Sequence, residues 1–163
     1  MNNKIIIRNA TKDDARQITE IIVEDWKKAY SGIIDQAFLD TYNVEERYEI
    51  EVKRFDKYYV AVLDNEVVGC EWLEMLEEEV SDSEIIALYV RYAKRNMGIG
   101  KLLFEYAMRH FKESGRKKMI IWCLKDNQEA RKFYEKVGGK EFKTSTHNWG
   151  GKDYDMISYL YDL

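Results

Sequence analysis

The chain has 163 residues and a formal net charge of −4, from 26 lysines and arginines against 30 aspartates and glutamates. That length can bury one sizeable core, and an acidic balance spread along the chain argues against a nucleic-acid partner, which would leave a basic patch. No run of about 18 apolar residues is present, so no membrane span is expected, and the stretch from Met1 to Arg8 is too briefly apolar for a signal peptide. Cys70 and Cys123 lie in apolar segments without CxxC spacing and read as reduced core residues of a cytoplasmic protein. His110 and His147 lack metal-ligand spacing, so no metal is expected. With no proline, linker or repeat, residues 1–163 read as a single domain.

Ile5-Ile6-Ile7 is a short strand, and Thr11-Lys12-Asp13-Asp14 resembles a capping box with Asp in the usual Glu position. Ala15, Ile18, Ile22, Trp26 and Ala29 then recur at helical spacing until Ser31-Gly32. Asp35 is placed to cap a short second helix through Phe38, Leu39 and Tyr42, and Asn43 another segment with Tyr48, Val52 and Phe55 on one face. Tyr58 to Leu63 is β-rich, Asp64-Asn65 supplies a tight turn, and Val67 to Leu73 returns. The acidic segment Glu77 to Asp82 precedes the apolar strand Glu84 to Val90.

After two glycines, Ile99, Leu102, Leu103, Tyr106 and His110 mark a helix face ending near Gly115. Lys118 to Leu124 is a strand, and Asn127 opens a helix that Gly138-Gly139 stops. Strands near Glu141–Thr146 and Tyr154–Tyr161 flank a turn containing Trp149-Gly150-Gly151. The order β-α-α-β-β-β-α-β-α-β-β predicts a mixed α/β (α+β) fold, with helices packed on a mixed sheet.

The segment Arg95-Asn96-Met97-Gly98-Ile99-Gly100 joins a strand to a helix N-terminus, where unpaired N–H groups favour an anion. It is not a Walker A loop, because Leu102 stands where the metal-binding hydroxyl would follow Gly100-Lys101. It is not a dinucleotide fingerprint, because Leu103 occupies the third glycine position. It matches the R/Q-x-x-G-x-G/A pattern of the GNAT superfamily of acyl-CoA-dependent N-acyltransferases. Asn127 to Gly138 resembles that family's second block, N-x-x-A-x-x-F-Y-x-x-x-G. The element order is the family's too, so the resemblance covers nearly the whole chain. One departure is the segment Arg91 to Lys94, which lacks a proline many members carry there.

The resemblance implies a GNAT-like, mostly antiparallel sheet of about seven strands with about four helices. It implies acetyl transfer from acetyl-CoA to a primary amine, of a small molecule or a peptide, by direct attack in a ternary complex. The loop backbone of Arg95, Asn96, Met97, Gly98, Ile99, Gly100 and Lys101 would hold the diphosphate of acetyl-CoA, Arg95 and Lys101 adding charge. The strand backbone of Leu88, Tyr89 and Val90 would pair with the pantetheine amides, in the manner of an added strand. Asn127 and Ala130 would be further cofactor contacts. Tyr134, the tyrosine of the F-Y pair, would lie near the CoA sulfur as general acid, and its phenol has a basicity suited to a thiolate.

Glu84 is the candidate base, with Glu71 and Glu74 on the neighbouring strand as rivals. Cys123 has no histidine partner to activate it and reads as packing. Trp26, Tyr30 and Glu71 are candidate acceptor-binding residues, together with the aromatic turn around His147 and Trp149. The acidic residues from Glu71 to Glu84 either attract a cationic amine or form a solvated loop. A non-catalytic acyl-CoA-binding module of the same fold is the alternative, although it would have no need of Tyr134. The family is often dimeric, and Tyr154 to Tyr161 is the candidate partner strand.

Overall fold

The computed structural model describes residues 4–163. Its strands are β1 (Ile6–Asn9), β2 (Tyr58–Leu63), β3 (Glu66–Met75), β4 (Ser83–Val90), β5 (Lys118–Leu124), β6 (Lys140–Trp149) and β7 (Lys152–Asp162). The α-helices are α1 (Ala15–Ala29), α2 (Gln36–Leu39), α3 (Val44–Glu51), α4 (Ile99–Glu113) and α5 (Gln128–Lys136). The short second helix expected after Asp35 is α2, a single turn, and it brings the α-helices to five where about four were expected.

The seven strands form one sheet in the order β1-β2-β3-β4-β5-β7-β6. Every neighbouring pair is antiparallel except β4 and β5. β7 lies between β5 and β6, so both its edges are paired. The free edge on that side belongs to β6, not to the C-terminal strand expected to meet a partner.

Local signals explain most boundaries. The Thr11 N–H donates to Asp14 Oδ2 at 2.7 Å, closing the expected capping box before α1, and Arg8 Nη1 donates to the same oxygen at 2.7 Å. Asn43 caps α3 by accepting from the Glu46 N–H at 2.9 Å. Asp64 and Asn65 both take positive φ, as a two-residue hairpin turn requires. Asp35 stands at the start of α2 but makes no side-chain cap; its carboxylate pairs with Lys152 instead.

Two expected faces are displaced. On α3 the fully buried side chain is Glu51, which Arg47 and Arg54 neutralise at 3.1 and 2.5 Å, while Tyr48, Val52 and Phe55 are only partly covered. On α4 the buried stripe is Ile99, Leu103, Phe104, Ala107 and Phe111, leaving Leu102 exposed.

The sheet separates two cores. On one face α1 buries Ile18, Ile22 and Trp26 against Tyr58, Val60, Cys70 and Leu124. On the other, α4 and α5 cover Ile85, Met119, Ile121, Ile157 and Tyr159. Gly69 permits the close approach of β3 to α4, since a Cβ there would stand 2.9 Å from Leu103.

Candidate active site

The site is made by two strands parting company. β4 and β5 pair only where Ser83, Glu84 and Ile85 meet Met119, Ile120 and Ile121. From Ile86 onward β4 has no partner on its β5 side. A register shift in β3 between Trp72 and Leu73 skips Ile86, since Trp72 pairs with Ala87 and Leu73 with Ile85. The extra residue turns the strand, so Ile85 and Leu88, three apart, both pack toward the α4 side. The resulting cleft has a volume of about 1060 Å³ and is lined by β4 from Ile85 to Val90 and β5 from Ile121 to Leu124.

At one end lies the glycine loop. Asn96 and Gly98 take φ of 64° and 80°, and Gly98 is the N-cap of α4. Among the described residues, the N–H groups of Asn96 through Lys101 donate to no protein acceptor. They are therefore free for an anion at the positive end of α4. A Cβ at Gly98 would meet nothing within 4 Å, and one at Gly100 would make only ordinary contacts at 3.7 Å. Both glycines thus leave space on the ligand side of the loop. Acceptors with four oxygens and two negative charges, such as a diphosphate, fit this donor set.

Arg95 and Lys101 are already engaged. Arg95 donates from Nη2 to Asp25 Oδ1 at 2.5 Å and from Nη1 to Glu129 Oε1 at 3.0 Å, and its guanidinium lies 4.7 Å from the Tyr92 ring centre. Lys101 stands 3.9 Å from Glu105. Arg95 therefore ties α1 and α5 to the loop across the cleft mouth.

Further in, Tyr134 is buried and lines the cleft. Its backbone oxygen accepts from the Tyr161 hydroxyl at 2.7 Å, and its ring packs on Phe133 and Tyr159. Its own hydroxyl has no hydrogen-bond partner among the described residues. Burial drives the phenol strongly toward the protonated form, reinforced by Cys123, Tyr161 and Tyr89. A protonated phenol on a cleft wall is the form that can donate a proton, and the same burial makes it a weaker acid than a free phenol. Cys123 lines the same wall, and burial pushes its thiol up to about 12, which suppresses the thiolate.

Of the residues singled out in the sequence, Trp26, Tyr30, Leu88, Tyr89, Val90, Arg95, Asn96, Gly98, Ile99, Gly100, Lys101, Asn127, Ala130 and Tyr134 all line the cleft. Met97, Glu84 and Glu71 do not. Met97 is exposed. Glu84 precedes the first lining residue of β4 and pairs in register with Glu74. Burial, with Glu78 and Glu74 nearby, raises its carboxyl to about 7. Glu71 is fully buried on the α4 side of β3, and burial raises it to about 9. Asn127 caps α5 by accepting from the Ala130 N–H at 3.2 Å.

Among the lining residues that sequence reasoning missed, Asp25 is a buried acid. Burial raises its carboxyl against the opposing pull of Arg95. Its signal was an acid on the apolar face of α1, three residues after Ile22 and one before Trp26.

A family model described as the acetyltransferase (GNAT) family matches residues 16–139. An uncharacterized N-acetyltransferase of Archaeoglobus fulgidus is 33% identical over 134 residues, 78% of this chain and 88% of that protein. A spermidine N(1)-acetyltransferase of Thermoplasma acidophilum is 24% identical over 162 residues, 93% of this chain and 95% of its own length. The crystal structure of PaiA N-acetyltransferase from Thermoplasma acidophilum, in complex with coenzyme A, has the same fold. It superposes with a TM-score of 0.74 at 22% identity, covering 94% of this chain and 98% of that one.

Proposed function

Because this chain belongs to the GNAT acetyltransferase family, we propose that it moves an acetyl group from acetyl-CoA to a primary amine by direct attack within a ternary complex. The observation that carries this reading is the parting of β4 and β5, which leaves one strand edge free between a loop of unpaired N–H groups and Tyr134. The loop from Asn96 to Lys101 receives the diphosphate. The open edge of Leu88, Tyr89 and Val90 pairs with the pantetheine amides, as an added strand would. The thioester then lies toward Tyr134.

The chemistry asks three things of the residues around it. An alkylamine with a pKa near about 10.4 is mostly protonated at neutral pH and must lose a proton before it attacks. Glu84 is the proposed acceptor of that proton through water. Its raised carboxyl, about 7, suits a base working near neutrality. The amine nitrogen then bonds to the thioester carbonyl carbon, the carbon–sulfur bond breaks, and the electron pair leaves on sulfur. Tyr134 gives its phenolic proton to that thiolate and regains one from solvent. The suppressed thiol of Cys123, on which the acting charges are Arg131 and Glu135 and no histidine, supports direct attack over an acyl-cysteine route. Buried free Cys70 and Cys123 fit a reducing, cytoplasmic setting.

The test is release of CoA thiol from acetyl-CoA across a panel of amines, with Tyr134→Phe beside the parent. The variant should lose about a hundredfold in kcat, the scale of general-acid catalysis, and keep the KM for acetyl-CoA within about twofold. A collapse of acetyl-CoA affinity would make Tyr134 a packing residue. Acetyl-CoA binding without turnover on any amine would favour a non-catalytic binding module, and failure to bind it would overturn both.

A further inference from the structure

We infer that the acceptor is a small primary amine with an uncharged apolar or aromatic body, received against the wall that Trp26, Tyr30 and Trp149 form. This rests on the acetyl-transfer reading above and names the substrate class of that same cleft. On the α1 side the cleft is walled by Trp26, Ala29, Tyr30, Leu124, Trp149 and Met156, none of them charged. The Trp26 ring meets Tyr30 and Trp149 edge-on, at 4.8 and 5.4 Å between centroids, and Tyr42 stacks behind it at 4.8 Å. The charged residues that line the cleft belong to the glycine loop and its preceding turn, to α4 and to α5. The exception is Asp25, whose carboxylate Arg95 already holds.

The acidic segment of the sequence does not reach this wall. None of the residues from Glu77 to Asp82 lines the cleft, nor do Glu71, Glu74 or Glu84. Asp82 instead accepts from the N–H groups of Lys117 and Lys118. A polyamine would therefore bring a second ammonium with no free carboxylate to receive it. A free amino acid would bring a carboxylate with no cation on this wall, since Lys94 and Lys136 line the cleft from the loop side and from α5. Either leaves a charge desolvated and unpaired, which is costly. An aromatic or aliphatic body loses nothing on entering the same wall and gains from leaving water.

The closure of this end sets the size. The β6–β7 hairpin is fastened onto the segment between α1 and α2. The Asp35 N–H donates to the Tyr154 hydroxyl at 2.9 Å, and Lys152 pairs with Asp35 at 3.1 Å. Phe38 packs so closely under the hairpin tip that a Cβ at Gly150 would stand 2.8 Å from its ring. A polypeptide laid into the wall would have to break these contacts, whereas a small amine would not.

The experiment measures initial rates with acetyl-CoA and three acceptors: 2-phenylethylamine, spermidine and a short peptide with a free N-terminus. The expected kcat/KM for 2-phenylethylamine exceeds the other two by about ten- to a hundredfold, the worth of burying one aromatic ring. Trp149→Ala should raise the KM for 2-phenylethylamine about tenfold and leave the KM for acetyl-CoA unchanged, and Trp149→Phe should recover most of the loss. A preference for spermidine or the peptide, with acetyl-CoA turnover intact, overturns the inference and spares acetyl transfer. So does an unchanged amine KM in Trp149→Ala. Acetyl-CoA binding with no turnover on any acceptor overturns it too, and loss of acetyl-CoA binding by the parent protein overturns both.

Discussion

Glu71→Gln isolates the cost of a single buried proton. Glu71 sits in the middle of β3, in register with Tyr59 on one side and Leu88 on the other. Gly69, two residues earlier, faces Leu103 and Ile99 of α4, so the alternation of the strand puts Glu71 on that face as well. It is fully buried, and neither carboxylate oxygen has a hydrogen-bond partner among the described residues. Burial raises its carboxyl from an ordinary 4.5 to about 9, so at neutral pH the folded protein holds it protonated while the unfolded chain ionises it.

The folded value lies above the unfolded one. The contribution to stability is therefore full below about pH 4.5, falls as pH rises, and is lost once pH passes about 9. The slope between those limits is about 1.36 kcal/mol per pH unit. Between pH 5 and pH 8 the parent should thus lose about 4 kcal/mol through this one group, a large share of a typical domain's stability. Glutamine cannot ionise, so the loss should vanish in the variant. An unpaired buried amide carries its own cost, but that cost is the same at both pH values and cancels in the difference. The assay is urea unfolding of parent and variant at pH 5 and pH 8, with m-values compared to check two-state behaviour. A parent–variant difference in unfolding free energy that is the same at the two pH values would refute the reasoning and mean that Glu71 ionises in the folded protein.

Gly98→Val forces a branched side chain into φ +80° at the N-cap of α4. The strain, about 1–3 kcal/mol, can be relieved only by moving the loop N–H groups. Acetyl-CoA Kd by calorimetry should therefore weaken at least about tenfold before turnover at saturation falls, and an unchanged Kd would separate the loop from the diphosphate. Glu84→Gln tests the base. In the parent, kcat/KM should rise with pH through an apparent pKa of about 7, the value set by burial with Glu78 and Glu74 nearby, because only the ionised carboxylate accepts the proton. In the variant that limb should disappear along with most of the rate, and a retained limb would assign it to another group.

The parts of this protein written in local chemistry were legible in its sequence. The caps at Asn43 and Asn127, the Asp64-Asn65 turn and the glycine at the start of α4 each act within a few residues, and each stands where the residue types put it. What escaped were outcomes that depend on a partner far along the chain. The apolar pattern of α3 pointed to Tyr48, Val52 and Phe55, but Arg47 and Arg54 flank Glu51 closely enough to carry its charge inside. Asp25 drew no reading from the sequence, because the arginine that pairs with it, Arg95, lies seventy residues away. The acidic run from Glu71 to Glu84 read as one electrostatic feature, yet the pleat sends Glu71 beneath α4 while Asp82 turns to backbone N–H groups of Lys117 and Lys118.

The cleft shows why the register shift matters more than any single side chain. A parallel pair of strands held together along its length would bury every N–H and C=O of β4 in ladder bonds and leave no edge for a ligand. The extra residue at Ile86 turns β4 just where its pairing with β5 stops, so the edge from Ile86 to Val90 is freed in the interior of a sheet. An unpaired edge of that kind invites pairing with any extended backbone. Here α1 covers one mouth of the gap and α5 the other, and Arg95 joins both to the loop through Asp25 and Glu129. A ligand that is thin, extended, rich in amides and anionic at one end would match this free edge and the unpaired N–H groups of the glycine loop beside it. The pantetheine arm and diphosphate of acetyl-CoA have those four properties.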